Sequence, residues 1–323
     1  MDAPHSKINF CGDLESLCCN TRYPLLLVHG VGVRDSKHER IWGRIPEALR
    51  AQGATVYLGN HDAWGTPLSN AAQLCERLVT IFAESGAEKV NIIAHSKGGL
   101  DSRFLIAQFP PDELPIASLT TISTPHHGSR SLQFLLTHTL PVFIPLNALM
   151  NTIYGRLGDK NPNFLETCKY LTNTSMEAFN AEQPELPHLL SQQFGSAFTK
   201  WTDDLSSTGT SPLIKRIEGP NDGLVALESA AYDNFCGEFF TLEGRGISHA
   251  LQVDGLKKPF SQSGIKKFSA RGEPKKRFAR KKALENETGA QSIVCTPEGI
   301  PLELEDILDL YIAIVANLKT RGF

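Results

Sequence analysis

The sequence predicts an α/β protein: a mostly parallel central sheet flanked by helices. Three observations lead there. Short apolar runs alternate with amphipathic stretches of 10–17 residues over the first 122 positions. The runs are apolar at consecutive positions, as strands covered on both faces must be. One run ends in a serine-bearing tight turn that opens a helix.

Pro24-Leu25-Leu26-Leu27-Val28 reads as a buried strand that stops at His29-Gly30. A helix is expected over 38–51, with Ile41, Ile45 and Leu49 on one face and Gly53 as its stop. Residues 54–58 read as a second strand and 68–84 as a helix turning Leu74, Leu78, Ile81 and Phe82 inward. A third strand is expected over 89–94, a helix over 98–108 and a fourth strand over 116–122. After Thr124 the alternation breaks. Residues 130–205 read as a mostly helical lid or cap insertion without a clear strand. The sheet is expected to resume at 213–218 and again near 238–242, and a last helix is expected over 303–319. One domain, 1–323, accommodates all of this, with 257–291 as a basic flexible insertion before the final helix.

Composition narrows the function classes. The 323 residues are 41% hydrophobic and 21% charged, with a net charge of −3. That excludes collagen-like, coiled-coil and wholly disordered chains, and offers no bulk attraction to nucleic acid. No run of about 18 consecutive apolar residues points to a membrane-crossing helix. The N-terminal residues lack the pattern of a signal peptide, so a cytoplasmic location is expected; secretion after removal of a signal, or by a non-classical route, is the alternative. Seven scattered cysteines fit reduced thiols better than a disulfide framework.

Ala94-His95-Ser96-Lys97-Gly98 sits at a strand-to-helix junction. Such a turn lifts a serine hydroxyl above the sheet, and it needs small residues two positions before and after, here Ala94 and Gly98. The plain alternative is a serine N-cap on an ordinary helix. A serine needs an adjacent base, and the base an orienting carboxylate. In the chain order Ser, acid, His, the downstream candidates are Asp222, 126 residues after Ser96, and His249, 27 residues further on. His127 is the competing base, and Asp203, Asp204 and Asp254 are the competing acids. The backbone N–H groups of Val31 and Lys97 are the candidate oxyanion donors: one lies in the turn after the first strand, the other follows the nucleophile. The Lys97 side chain reads as solvated. His126 and His127 have no partner spacing that supports a metal.

Several motifs together resemble the bacterial triacylglycerol lipase/esterase family, Pseudomonas/Burkholderia type, of the α/β-hydrolase superfamily. They are Tyr23 to Gly30, Ala94 to Arg103, Ser123 to Ser129 and Asn221 to Val225, with weaker matches at Ile41 to Pro46 and Leu171 to Asn180. The resemblance implies an α/β-hydrolase fold with a helical lid, and hydrolysis of lipid or small esters. It implies Ser96 as nucleophile, Asp222 as acid, His249 as base, and Val31 and Lys97 as oxyanion donors. No cofactor is expected. Calcium-binding members carry an Asp two positions after the catalytic His; Leu251 stands there, and an aliphatic side chain cannot ligate a hard cation. Two alternatives share the framework: an acyltransferase using the same acyl-serine, and a non-catalytic binding protein.

The near-neutral total conceals a split. Residues 257–282 hold eleven basic residues and one acid, leaving 21 basic against 34 acidic residues elsewhere, a net of −13. Contact of this basic stretch with an anionic membrane surface is expected, strong at low salt and weak at high salt.

Overall fold

The computed structural model describes residues 18–35, 41–183, 189–200, 203–204, 209–260 and 303–323. Apart from Lys257, Lys258 and their neighbours up to Phe260, the basic stretch lies outside the described residues.

A six-stranded parallel sheet forms the middle layer, in the order β2-β1-β3-β4-β5-β6. The chain runs β1 (Leu25–Val28), α1 (Ile45–Ala51), β2 (Val56–Leu58), α2 (Pro67–Ser85), β3 (Val90–His95), α3 (Lys97–Ile106) and β4 (Ile116–Ile122). It continues with α4 (Arg130–Leu157), α5 (Phe164–Tyr170), α6 (Asn173–Glu182), β5 (Leu190–Gly195), α7 (Ser211–Ile217), α8 (Leu227–Ala230) and β6 (Phe235–Glu238). Then come β7 (Phe240–Thr241), β8 (Glu303–Leu304) and α9 (Ile307–Thr320), with β7 and β8 paired apart from the main sheet.

Alternation along the strands builds the two faces. Leu25, Leu27 and Ile93 pack with Ile45 and Leu49 of α1 and Leu310 and Ile314 of α9. Leu26, Val28 and Ile92 point the other way, into Leu74, Leu78 and Ile81 of α2 and Leu105 of α3. A fully buried leucine contributes about 2 kcal/mol, so these two layers outweigh any surface contact. Local signals agree. Thr66 caps α2 by accepting from the Ser69 N–H, and Gly86 ends it at φ 68°. Asp306 and Asp309 form a capping box on α9.

The first half follows the expected order, with β4 at the expected residues. Helix α1 begins later than expected, at Ile45, with 41–44 as turn; positions 38–40 lie outside the described residues. Three expectations are corrected. Residues 130–205 do contain a strand, β5, which lies inside the main sheet. Its Ser191, Gln192 and Gln193 hide it from a hydropathy reading, yet all three are buried. Residues 213–217 belong to helix α7, not a strand, with Glu218 as its C-cap and a proline in the first turn. The strand expected near 238–242 divides: β6 joins the sheet and β7 pairs with β8, so the expected helix start at 303 is strand.

Helices α4 to α6 lie within 130–205, the stretch expected to be a cap. Ser129 caps α4, which kinks at Thr139 (φ −130°, ψ 24°) just before Pro141. Leu132, Phe143, Leu146 and Met150 pack around Leu136, Phe164 and Cys168. Phe134, Val142, Ile144, Leu149 and Leu157 are 47–62% exposed. Contrary to expectation, α4 is by length and composition able to cross a membrane, the one such helix among the described residues. Its C-terminal end is fastened to the body. Asp159 accepts from the Ala63 and Trp64 N–H groups, and Asp62 accepts from those of Lys160 and Asn161.

Candidate active site

All six strands of the sheet run parallel, so their C-terminal ends gather on one edge, where loops can meet. Ser96 stands there at the end of β3 with φ 57° and ψ −133°, between strand and helix. A non-glycine residue held at positive φ costs about 1–3 kcal/mol, and the surroundings must enforce it. They do: the Ser96 N–H donates to the Ile122 carbonyl at 2.9 Å, and Thr124 Oγ1 donates to the Ser96 carbonyl at 2.8 Å. Gly98 is required next door, because any Cβ there would enter the Val28 and His29 carbonyls. Ala94, the other small position, is fully buried.

Asp222 is fully buried and receives four donors. Oδ2 accepts from His249 Nδ1 at 2.8 Å and from Gln252 Nε2 at 2.9 Å. Oδ1 accepts from the N–H groups of Leu224 (3.1 Å) and Val225 (2.8 Å). Burial alone would raise this carboxyl, but the His249 ring and the two backbone donors outweigh it and hold it below the ordinary value. The bond to Asp222 places the His249 hydrogen on Nδ1 and leaves Nε2 as the basic nitrogen. The His249 ring packs at 4.4 Å, centroid to centroid, against that of His95, the residue before Ser96. Asp222 follows α7, not a strand as the sequence reading had it.

The competing residues are engaged elsewhere. His127 Nε2 donates to the Ala231 carbonyl, and buried His126 meets Thr121 Oγ1 at 2.9 Å. Asp203 accepts from the N–H groups of Thr199, Lys200 and Gly246, and Asp204 shares its loop. Asp254 accepts from the Arg44 guanidinium and backbone. His249 Nδ1 pairs with Asp222.

The Lys97 side chain is buried, not solvated. Its ammonium bonds both Asp101 oxygens, at 2.7 and 2.8 Å. Burial pushes the ammonium down and the Asp101 carboxyl up, and their contact opposes both shifts. The spacing of four on one helix was a visible signal for this pair. Gln252, His61 and Tyr154 escape the sequence reading altogether. Tyr154, on α4, donates to the Gly32 carbonyl at 2.8 Å. His61 stacks on His29 (3.8 Å, 14°) and its Nε2 donates to the His29 carbonyl at 3.1 Å.

His29, Asp35 and His61 bring metal-type donor atoms within 4.8 Å of one another. The stacking of the two rings works against a shared ion. Near-parallel stacked imidazoles aim their in-plane lone pairs along separate planes, not at one point. His29 Nδ1 and His61 Nε2 donate to carbonyl oxygens, which leaves His29 Nε2 and His61 Nδ1 as buried nitrogens without a hydrogen-bond partner.

No protein-family model matches the chain. Triacylglycerol lipase 2 of Saccharomyces cerevisiae is 32% identical over 202 residues, covering 61% of this chain and 58% of that protein. The triacylglycerol lipase of Burkholderia plantarii is 28% identical over 270 residues, covering 66% of this chain and 75% of that one. Among solved structures, the mature lipase BlEst2 of Bacillus licheniformis superposes with a TM-score of 0.54 at 20% identity, covering 72% of this chain and 87% of that one. The chain is thus an α/β-hydrolase in fold and similar in sequence to the triacylglycerol lipases of bacteria and yeast.

Proposed function

We propose that this protein is a carboxylic ester hydrolase that cleaves lipid esters through an acyl-serine at Ser96. The observation that carries the reading is the 2.8 Å bond from His249 Nδ1 to buried Asp222, on a ring packed against the residue preceding a strained serine turn. Ser96 Oγ attacks the ester carbonyl while His249 Nε2 takes its proton. The carbonyl oxygen becomes an oxyanion and accepts from the Val31 and Lys97 N–H groups, each worth a few kcal/mol in the transition state. Collapse breaks the bond to the alkoxy group, and His249 returns the proton to the leaving alcohol. Water, deprotonated by His249, then attacks the acyl-serine, and the acid departs.

The apolar outer face of α4 supports lipid as the substrate class. Side chains as exposed as Val142 and Ile144 gain from meeting a lipid surface, and the kink at Thr139 supplies a place for the helix to bend. The basic stretch 257–282 would add attraction to an anionic membrane. No metal takes part in these steps, and Leu251 offers no ligand at the calcium position.

The test is hydrolysis of p-nitrophenyl esters of graded chain length by wild type and Ser96→Ala. Wild type is expected to turn over and Ser96→Ala to fall by about 10⁴-fold or more; equal rates would sink the reading. With tributyrin, a jump in rate at the solubility limit is expected, and a smooth curve argues against interfacial opening. Dialysis against a chelator is expected to leave the rate unchanged.

A further inference from the structure

We infer that His29 is a positioning residue for the oxyanion hole: its ring grips the Gly30 carbonyl and thereby aims the Val31 N–H at the substrate oxygen. This rests on the ester-hydrolase reading above, with Val31 as a donor.

The covalent argument is short. The Gly30 carbonyl and the Val31 N–H belong to one planar peptide and point in opposite directions. Whatever fixes the carbonyl fixes the N–H. His29 Nδ1 lies 2.8 Å from the Gly30 oxygen, and since a carbonyl only accepts, Nδ1 donates. Gly30 in turn abuts Ser96, so the aimed N–H emerges beside the nucleophile.

Neighbouring peptides are held in the same way, each from a different part of the molecule. His61 Nε2 donates to the His29 carbonyl at 3.1 Å. The Gly32 N–H donates to the Ala63 carbonyl at 3.1 Å. Tyr154, from α4, donates to the Gly32 carbonyl at 2.8 Å. Four consecutive peptides, from 29 to 33, therefore each carry an anchoring bond. The His29 ring is itself fixed: fully buried, stacked on His61, with Asp35 Oδ2 3.8 Å from its Nε2. A loop with no regular secondary structure needs such anchoring if it is to present a donor without reorganising during the reaction. It also gives a use to two buried histidines that the triad leaves idle.

The experiment compares His29→Leu, His29→Asn and Tyr154→Phe on a short soluble ester, alongside inhibition by a trifluoromethyl ketone. That ketone adds Ser96 and forms the oxyanion without turning over. Asn places an amide N–H near the position of His Nδ1, whereas Leu has none. His29→Leu is expected to lower kcat about 100-fold with KM within about twofold, and to weaken the ketone in proportion to the loss in kcat/KM. His29→Asn is expected to recover at least about tenfold of that loss, and Tyr154→Phe to cost only several-fold in kcat. A merely structural role would lower the melting temperature of His29→Leu without this matched loss of ketone affinity.

His29→Leu within threefold of wild type, or His29→Asn no better than His29→Leu, overturns the inference. If His29→Leu does not fold, His29→Asn and Tyr154→Phe decide: wild-type kcat in Tyr154→Phe together with full loss in a folded His29→Asn overturns it. A wild type silenced by Ser96→Ala but indifferent to His29 overturns this inference alone, whereas a wild type that hydrolyses no ester overturns the proposed function with it.

Discussion

Gly30 lies so close to Ser96 that a methyl group on its Cα would sit 2.7 Å from Ser96 Cβ and 3.1 Å from Oγ. The serine is pinned by the Ile122 and Thr124 bonds and cannot retreat, so a side chain at position 30 must push the loop bearing Val31 outward. Gly30→Ala is expected to lower kcat about 100-fold or more, because a shift of about 1 Å in a donor has that effect. Steady-state kinetics on a soluble ester, with circular dichroism to confirm the fold, checks it.

The Asp222 carboxylate orients His249 only while it stays charged and fixed. Asp222→Asn is expected to cost about 10³–10⁴ in kcat, since the amide can turn its NH₂ toward Nδ1 and reverse the tautomer. Gln252→Leu keeps the volume but removes one of four donors from the same carboxylate. A loss of about tenfold in kcat is expected, with KM unchanged. A Gln252→Leu enzyme as fast as wild type would make that contact incidental.

Much of this site was legible because its residues sit on turns with fixed chemistry. Ser96 needs a strand before it and glycine after it; Asp222 and His249 follow in the required order. Gln252, His61 and Tyr154 were not legible. They act through contacts 30, 32 and 122 residues away, and nothing local marks them. The fold shows the same division. Strand β4 is, apart from Ser118, a run of apolar and β-branched residues and was found end to end. Strand β5 was missed because Gln192 is satisfied by Thr120, 72 residues distant, so a polar residue could be buried. In α7, Leu213, Ile214 and Ile217 suit a short strand as well as a helix; Ser211-Pro212, which opens the helix, was the sign that the strand reading passed over.

Arg44 ties the loop after His249 to the last helix. Its guanidinium bonds Asp254 through Nε and Nη2 at 2.9 and 2.7 Å, and Asp306 through Nη1 and Nη2 at 2.9 and 2.8 Å. Asp254 is almost wholly buried, whereas Arg44 is about one third exposed. Arg44→Ala leaves a buried carboxylate without its cation, which in full burial costs about 3–5 kcal/mol. Discounted for the solvent that reaches Arg44, about 2 kcal/mol is expected, or a fall of roughly 3 °C in melting temperature. Arg44→Lys is expected to recover only part, since an ammonium cannot fork to two carboxylates. Differential scanning calorimetry at pH 7 checks both.

Stability is expected to fall between pH 7 and pH 5 because of three buried imidazoles. Burial holds His61, His95 and His126 well below the ordinary histidine value. The unfolded chain takes up protons on these rings below about pH 6.5, while the native state does not, so the unfolded state gains. The sign is therefore loss of stability on acidification, at up to about 1.4 kcal/mol per pH unit for each ring. Asp101, pushed up by burial, acts in the opposite sense, since it binds a proton in the native state before it does in the unfolded chain. Asp222 acts in a lower window: its carboxyl is depressed, so its contribution is present above about pH 4 and lost below. His126→Gln isolates one ring, since it lies in the turn after β4, away from the Asp222–His249 pair. Unfolding free energies from urea titrations at pH 7, 6 and 5 are expected to show a slope about one proton shallower in His126→Gln than in wild type. Parallel slopes would mean that His126 takes up its proton in the folded protein.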